Sequence, residues 1–402
     1  MSSRETDTSD IQLPSGFRFA GVHSGLKETA NDVAMIVCDA PATAAGVYTQ
    51  NLVRAASIDW NRQITPSSVI RGVVINSGNA NACTGLQGKQ DNRQMASTAA
   101  NALGCDAEQV LVLSTGVIGK PLAMDCVCPG IQRAVSQAGP EPQDFLAAAD
   151  GIMTTDRFRK TDSQTVSIGR SSGTITGMAK GAGMIGPNMA TMLAVIVTDW
   201  YLSPQTADQV LRNAVNASFN CISVEGHTST NDAVVLLSSS SGTPVREIDQ
   251  VTQFQAALTE TCIGLARQIP SDGEGASHAI EIRVRGTMTD SDADLIARTV
   301  ANSALVKTAF TGADPNWGRI VSAAGYSGIE FQLDETSLKL NGHSVFESGQ
   351  PTPFNAIEVS NDLRVNFDSK IDLCVGPGPG QATHWTSDLT VDYVRLNSEY
   401  TT

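Results

Sequence analysis

Residues 180–199 read KGAGMIGPNMATMLAVIVTD, and this stretch decides how the rest of the chain is interpreted. Its first part, residues 180–187, holds three glycines and one proline, so the backbone can turn tightly and come close to a ligand. Its second part, residues 191–197, is a short run rich in β-branched residues, which is typical of a buried strand. Thr191 therefore lies where a pliable loop enters a strand.

Thr191 carries the only side-chain nucleophile between Asn188 and Thr198. A threonine hydroxyl needs a base before it can attack a carbonyl, and no histidine is close in the sequence. If the chain is cut after Ala190, Thr191 becomes an N-terminal residue whose own α-amine, with a pKa of about 8, can accept the proton. The local sequence alone leaves open whether this is a catalytic site or a glycine-rich loop before a core strand.

Composition excludes several classes of function. The chain has 402 residues and a formal net charge of −14, which argues against a nucleic-acid partner. The eight cysteines are dispersed, and the one close pair, Cys126 and Cys128, has no matching second pair, so we expect no metal site. The polar start of the chain and its short apolar runs predict neither a signal peptide nor a membrane span, and we expect a cytoplasmic protein with free thiols.

The pattern along the chain predicts a mixed α/β fold. Residues 73–75 and 110–113 are typical of buried strands, and each is followed by a loop of small and polar residues, 76–82 and 114–119. Further elements are predicted as helices at 90–103, 129–137, 142–153, 251–268 and 290–306, and as strands at 233–237, 329–333 and 363–367. Periodicity does not by itself give the topology.

Residues 180–192 resemble the self-cleavage segment of the glutamate/ornithine N-acetyltransferases of arginine biosynthesis. Other strings similar to that family are TSTND at 228–232, GADPNWGRI at 312–320 and the tail from Trp385, so the resemblance runs from about Pro14 to the last residue. It implies a layered α/β/β/α fold with mixed sheets. It also implies self-cleavage between Ala190 and Thr191 into an N-terminal chain, 1–190, and a C-terminal chain, 191–402, with two copies of each forming a heterotetramer.

The same resemblance implies the chemistry. Thr191 takes the acetyl group of N2-acetylornithine, ornithine leaves, and glutamate then accepts the acetyl group to give N-acetylglutamate. Thr115 and Gly116 would form the oxyanion hole, and no cofactor is implied. Acetyl-CoA as a further donor is left open, although the chain shows no basic cluster suited to its phosphates, which favours the recycling reaction alone.

Contacts with the substrate are also implied by the resemblance. The residues that inherit them are Thr154 or Thr155, Thr191, Glu274, Asn397 and Thr402. For Lys180 the chemistry leaves two roles open, either pairing with the substrate's carboxylate or lowering the pKa of the Thr191 amine. Glu274 lies between two glycines, which exposes its carboxylate for pairing with an ammonium group. The string at 228–232 is interpreted as structural, because Asn and Asp close turns well. Four places depart from the family pattern: residues 157–159, His227, Ser277 with His278, and residues 376–380.

Two other classes of protein are alternatives. An amidohydrolase or aminopeptidase with an N-terminal threonine would let water reach the acyl-enzyme and would release free acetate without glutamate. A binding protein without catalysis would remain one intact chain.

Overall fold

The computed structural model describes Thr8, residues 11–186 and residues 192–399. Ala190, Thr191 and Thr402 lie outside this part of the chain.

Strands and helices alternate along most of the sequence. The strands are β1 (Phe17–Val22), β2 (Val33–Tyr48), β3 (Ser67–Asn79), β4 (Val110–Val117), β5 (Lys160–Ile168), β6 (Ser171–Lys180), β7 (Leu193–Thr198), β8 (Ile222–Ser223), β9 (Ala233–Ser238), β10 (Ala279–Thr287), β11 (Ser337–Leu340), β12 (His343–Glu347), β13 (Gln350–Pro351), β14 (Asp368–Cys374) and β15 (Gly380–Ser387). The α-helices are α1 (Ala56–Ile64), α2 (Gly85–Leu103), α3 (Met124–Gln137), α4 (Pro142–Ile152), α5 (Pro204–Asn216), α6 (Ile248–Ser271), α7 (Asp290–Ala301), α8 (Ala304–Thr311), α9 (Trp317–Gly325), α10 (Ala356–Val365) and α11 (Val391–Glu399).

The first sheet has the strand order β4-β3-β2-β9-β7-β6-β5, and β1 also pairs with β2. Strand β2 is 16 residues long and is exposed at residues 39–41, where its pairing with β3 shifts register. Before this point β2 pairs with β1, and after it β2 pairs with β9. The long strand therefore joins two halves of one mixed sheet.

The two halves of this sheet enclose a core. Ile36 and Ile75 from one half share it with Val195 and Leu237 from the other, and helix α4 closes it with Phe145. Because successive side chains of a strand point to opposite faces, the neighbouring residues face outwards. On the outer faces, helices α2 and α3 cover the first half and helices α5 and α6 cover the second. This layering confirms the expected α/β/β/α arrangement.

The second sheet has the order β13-β12-β11-β14-β10-β15-β8. Ile282 and its neighbours on one face pack against helices α7, α8 and α9. On the other face, Trp385 belongs to the same core as Leu265 of helix α6. Helix α6 therefore connects the two sheets. In the residues described, no helix combines the length and apolar character needed to cross a bilayer.

Some predicted elements differ from the structure. The strand predicted at 363–367 is wrong, because residues up to Val365 continue helix α10, which begins where the Asn355 side chain accepts hydrogen bonds from two backbone N–H groups. The strand predicted at 329–333 is also wrong. The helix predicted at 290–306 is two helices, since Ser303 caps a new helix by accepting from Val306 N.

Candidate active site

A cavity of about 270 Å³ lies beside the start of strand β7. It is lined by segments that are far apart in the sequence. Among its lining residues are the predicted site residues Thr115, Gly116, Thr154, Thr155, Lys180, Glu274 and Asn397. The remaining predicted site residues, Ala190, Thr191 and Thr402, are outside the described residues. The structure thus brings together every predicted site residue that it describes.

Gly116, the second-last residue of strand β4, has a backbone conformation that favours glycine. Its φ is 127°, in the region that L side chains rarely adopt, and an added Cβ would lie 2.3 Å from the carbonyl carbon of Gly78. Thr115 precedes it and is buried. The end of strand β4 can therefore press directly against the end of strand β3, and Thr115 and Gly116 line the cavity there.

Asn231 fixes the ends of these two strands. Its side-chain Nδ2 donates hydrogen bonds to the backbone carbonyl oxygens of Ala80, at 2.6 Å, and Ser114, at 2.8 Å. Asn231 is itself buried and also lines the cavity. The polar string at 228–232 thus has the structural role that the sequence suggests, at a position that touches the site.

Glu274 is held on three sides. Thr155 Oγ1 donates to its Oε1 at 2.8 Å, and Asn397 Nδ2 donates to its Oε2 at 2.9 Å. Its backbone N–H donates to the carbonyl of Ala182 at 2.9 Å. An added Cβ on Gly183 would lie 2.5 Å from the Glu274 carboxyl carbon. The absence of a side chain at Gly183 therefore leaves space for the Glu274 carboxylate.

Lys180 is 2% exposed at the cavity wall. Burial lowers the pKa of Lys180, although the nearby charge of Asp156 opposes that shift. Asp156 Oδ1 accepts hydrogen bonds from Lys160 Nζ and from the backbone N–H of Gly181, both at 2.7 Å. Burial alone would raise the pKa of Asp156, but the charges of Lys160 and Lys180 outweigh burial and hold it below its ordinary value of 3.8.

Asp156 also connects the segment of the predicted threonines to the residues that follow Lys180, because it accepts hydrogen bonds from both. The backbone N–H of Thr154 donates to Asp156 Oδ2 at 2.9 Å, whereas the Thr155 hydroxyl donates to Glu274. Both threonines line the cavity, so the geometry leaves open which of them contacts a substrate. Behind them, Lys160 Nζ bridges Asp156 and Asp272, each at 2.7 Å, and the three side chains are fully buried.

Sequence reasoning missed two carboxyl groups. Asp232 is buried, and its Oδ1 accepts at 3.1 Å the backbone N–H of Met192, the residue before strand β7. Burial raises the pKa of Asp232 well above its ordinary range. Glu225 lines the cavity, and burial raises its pKa to about 7. The available signal was the density of polar residues in 223–232 immediately before a buried strand.

A separate group of side chains could offer ligands to a metal. One ligand atom each of Cys221, Asp294 and His384 lie within 4.8 Å of one another, away from the cavity lining. These atoms already have partners: His384 Nε2 and Asp294 Oδ1 are 2.7 Å apart, and the Cys221 thiol donates to the carbonyl of Asn216. Arg298 also donates to Asp294. The group is therefore satisfied as a hydrogen-bonded cluster.

Comparison with known proteins gives consistent matches over nearly the whole chain. The sequence pattern of the ArgJ family matches residues 18–402. The "Arginine biosynthesis bifunctional protein ArgJ" of Rhodopirellula baltica is 49% identical over 98% of this chain and 98% of its own length. The protein of the same name from Geobacter sulfurreducens is 44% identical over 96% of this chain and 99% of its own length.

Among solved structures, the chain is similar to an ornithine acetyltransferase from Mycobacterium tuberculosis, crystallised with ornithine. That match has 37% identity and a TM-score of 0.39, and it covers 43% of this chain and 92% of the other.

Proposed function

Because the protein belongs to the ArgJ family of arginine-biosynthesis enzymes, we propose that it transfers the acetyl group of N2-acetylornithine to glutamate through an acetyl-Thr191 intermediate. The observation that carries this proposal is the cavity beside strand β7. It gathers the oxyanion-hole candidates, a buried lysine and a hydrogen-bonded carboxylate from distant parts of the chain.

In the first half of the proposed reaction, Thr191 Oγ attacks the acetyl carbonyl and its proton passes to the α-amine of Thr191. The backbone N–H groups at Thr115 and Gly116 stabilise the oxyanion, a contribution of about 3 to 4 kcal/mol for one such donor. The C–N bond then breaks, and the proton returns to the leaving α-amine of ornithine. Glutamate's α-amine attacks the resulting ester in the second half, and Thr191 recovers its proton.

Activation by self-cleavage between Ala190 and Thr191 is part of the proposal. The two sides of residues 187–191 are held by the fold: the Ile185 carbonyl accepts from Val224 N and Gly226 N at 2.9 Å, and Met192 N is held by Asp232. We propose that these two fixed points favour attack of the Thr191 hydroxyl on the Ala190 carbonyl. The C–N bond breaks to leave an ester and a free Thr191 α-amine, and water then hydrolyses the ester. The products are chains 1–190 and 191–402, which we propose assemble as a cytoplasmic heterotetramer.

A second candidate function is a wider donor range. The curated relatives are named bifunctional, and a second donor, acetyl-CoA, would produce the same acetyl-enzyme. Purified enzyme would be given glutamate with N2-acetylornithine or with acetyl-CoA, and N-acetylglutamate would be measured by mass spectrometry. Product from N2-acetylornithine alone supports the recycling reaction, and comparable rates with both donors support the bifunctional alternative. Free acetate formed without glutamate would support the hydrolase instead.

The nucleophile is tested with Thr191→Ala, with Thr191→Ser as the matched control that keeps a hydroxyl. Mass spectrometry of the wild-type protein should find two chains, and Thr191→Ala should remain one chain without activity. Cleavage at the same bond in Thr191→Ala would refute the assignment.

A further inference from the structure

The proposed reaction, on which this inference rests, places two opposite charges in one cavity. N2-acetylornithine and glutamate use the same acetyl-enzyme, so their α-carbons must occupy the same region in turn. Their side chains then enter the same part of the cavity, one with a δ-ammonium and the other with a γ-carboxylate. Glu274 already brings one carboxylate to this cavity, so a second carboxylate of fixed charge would further favour the ammonium and further repel the γ-carboxylate.

Glu225 is a carboxyl group on this wall that is only half satisfied. Its Oε1 accepts the backbone N–H of His227 at 3.3 Å, while its Oε2 is buried with no hydrogen-bond partner among the described residues. A buried carboxylate oxygen without a donor is costly, so the protonated form of Glu225 is favoured when no cation lies beside the carboxyl group.

The backbone on either side of Glu225 is rigidly placed. Val224 N and Gly226 N both donate to the Ile185 carbonyl at 2.9 Å. Gly226 also packs so closely against Gly186 that a Cβ added to Gly186 would lie 2.5 Å from the Gly226 carbonyl carbon. Glu225 therefore keeps its place at the cavity wall.

The groups around Glu225 do not fix its charge. Burial raises the pKa of Glu225 to about 7, although the nearby backbone N–H groups of His227, Glu225 and Ile185 oppose that shift, and the charge of Glu274 on the same wall adds to the effect of burial. Burial raises the pKa of Tyr393 to about 12, so this neighbour is neutral. Burial lowers the pKa of Lys307 to about 7, and its Nζ donates to Thr386 and Ser387. Lys180 and His227 are the other titratable groups among the described residues that line the cavity.

We propose that Glu225 adapts the side-chain subsite to both substrates, accepting a hydrogen bond from the ornithine ammonium as a carboxylate and donating one to the glutamate γ-carboxylate as a carboxylic acid. The proton that Glu225 gains when glutamate replaces ornithine comes from solvent, and it returns to solvent in the next cycle. Glu225 thereby determines specificity for both half-reactions, and the bond-breaking steps stay with Thr191.

The test compares wild type with Glu225→Gln in the two half-reactions between about pH 6 and 8.5. Formation of acetyl-Thr191 from N2-acetylornithine is followed by mass spectrometry, and its discharge by glutamate is followed in the same way. In wild type, KM for N2-acetylornithine should rise as the pH falls below about 7, and KM for glutamate should rise as the pH increases above it.

Glu225→Gln should remove both trends, because its amide is always neutral and can still donate. We expect KM for N2-acetylornithine to be about tenfold higher than wild type at the upper pH, and KM for glutamate to stay near the wild-type value measured at the lower pH. Glutamate binding should take up a proton from an indicator solution in wild type but not in the variant. His227→Asn removes the neighbouring imidazole. In this variant, KM for N2-acetylornithine should still rise at low pH, and KM for glutamate should still rise at high pH.

The outcomes separate this inference from the proposed function. If wild type forms acetyl-Thr191 and Glu225→Gln shows the same two pH trends, the role of Glu225 is overturned and the proposed function stands. If wild type forms no acetyl-enzyme from N2-acetylornithine, both fall. Thermal unfolding and chain cleavage of Glu225→Gln establish that a change in KM is not a loss of folding.

Discussion

Glu274 and Asn397, which are 123 residues apart, meet at the cavity wall, where Asn397 Nδ2 donates to Glu274 Oε2 at 2.9 Å. Helix α11 brings Asn397 to this point. Thr390, the residue before this helix, donates its Oγ1 hydrogen bond to the carbonyl of Gly275, next to Glu274, at 2.7 Å. The last helix of the chain is therefore part of the site wall.

Glu274→Gln should lower kcat/KM for N2-acetylornithine by about 10- to 100-fold, because a charged hydrogen bond to an ammonium contributes about 1.5 to 3 kcal/mol. Steady-state kinetics measures this change, and a denaturing gel should show chain cleavage close to wild type. Glu347→Gln, on an exposed position of strand β12, is the control and should leave both unchanged. Unaltered kinetics in Glu274→Gln would make the residue purely structural.

Asn231→Ala should lower kcat much more than it raises KM, because it frees the ends of strands β3 and β4, and β4 carries both oxyanion-hole candidates. It also leaves the buried carbonyls of Ala80 and Ser114 without this donor, a loss of about 1 to 3 kcal/mol for each. Thermal unfolding and kinetics would be measured together, with the exposed Asn366→Ala as control. An Asn231→Ala enzyme with wild-type kcat would show that the strand ends do not need this bridge.

Gly116→Ala should destabilise the protein by about 3 kcal/mol or more, because it adds a backbone clash to an unfavourable φ. Gly119→Ala is a matched control: Gly119 also has a positive φ, of 79°, but a Cβ there would meet nothing within 4 Å. We expect the control to cost about 1 kcal/mol. Equal shifts in the thermal unfolding midpoint would contradict the importance of the close approach to Gly78.

Lys160→Met should destabilise the protein by about 3 to 5 kcal/mol, since it leaves Asp156 and Asp272 buried without their shared cation. The pH dependence should change as well. In wild type the pKa of Asp156 is lower in the folded than in the unfolded chain, so its contribution is present above about pH 4 and is lost as the pH falls further.

Without Lys160, burial raises the pKa of Asp156 with less opposition, and acidification below about pH 4 should destabilise the variant less than wild type. Thermal unfolding midpoints measured across this range decide the point. Arg212→Met removes an exposed ion pair with Asp208 and serves as the control with little effect. Parallel pH curves for Lys160→Met and wild type would refute the proposed coupling.

The sequence was most informative where a local signal has a local cause. Helix α2 ends at Gly104, which has a φ of 68°, as the glycine there suggests, and helix α5 begins at Ser203, whose side chain accepts from Thr206 N. The start of helix α2 at Gly85 was missed. Glycines are poor helix formers, and tertiary packing outweighs that preference here.

Long-range pairing was much harder to predict. Residues 76–79, predicted as a loop, continue strand β3 because they pair with strand β4, a contact that no local pattern reveals. Glu225 was missed for the same reason, since its burial and its missing partner depend on the loop at Ile185. The positions of Thr115, Lys180 and Glu274 on one cavity could be expected only from the family resemblance. Their roles and that of Thr191 stay predictions.

Strand β7 lies inside the first sheet, paired with β6 on one side and with β9 on the other over residues 193–198. A break before Thr191 would leave the new chain end anchored between strands that belong to different polypeptides. The two pieces would stay together as long as the sheet is intact. Once unfolded, however, they would have to find each other again, so reassembly would depend on protein concentration, whereas the uncut chain folds by itself. After cleavage, the lifetime of the active enzyme would therefore be set by its unfolding rate.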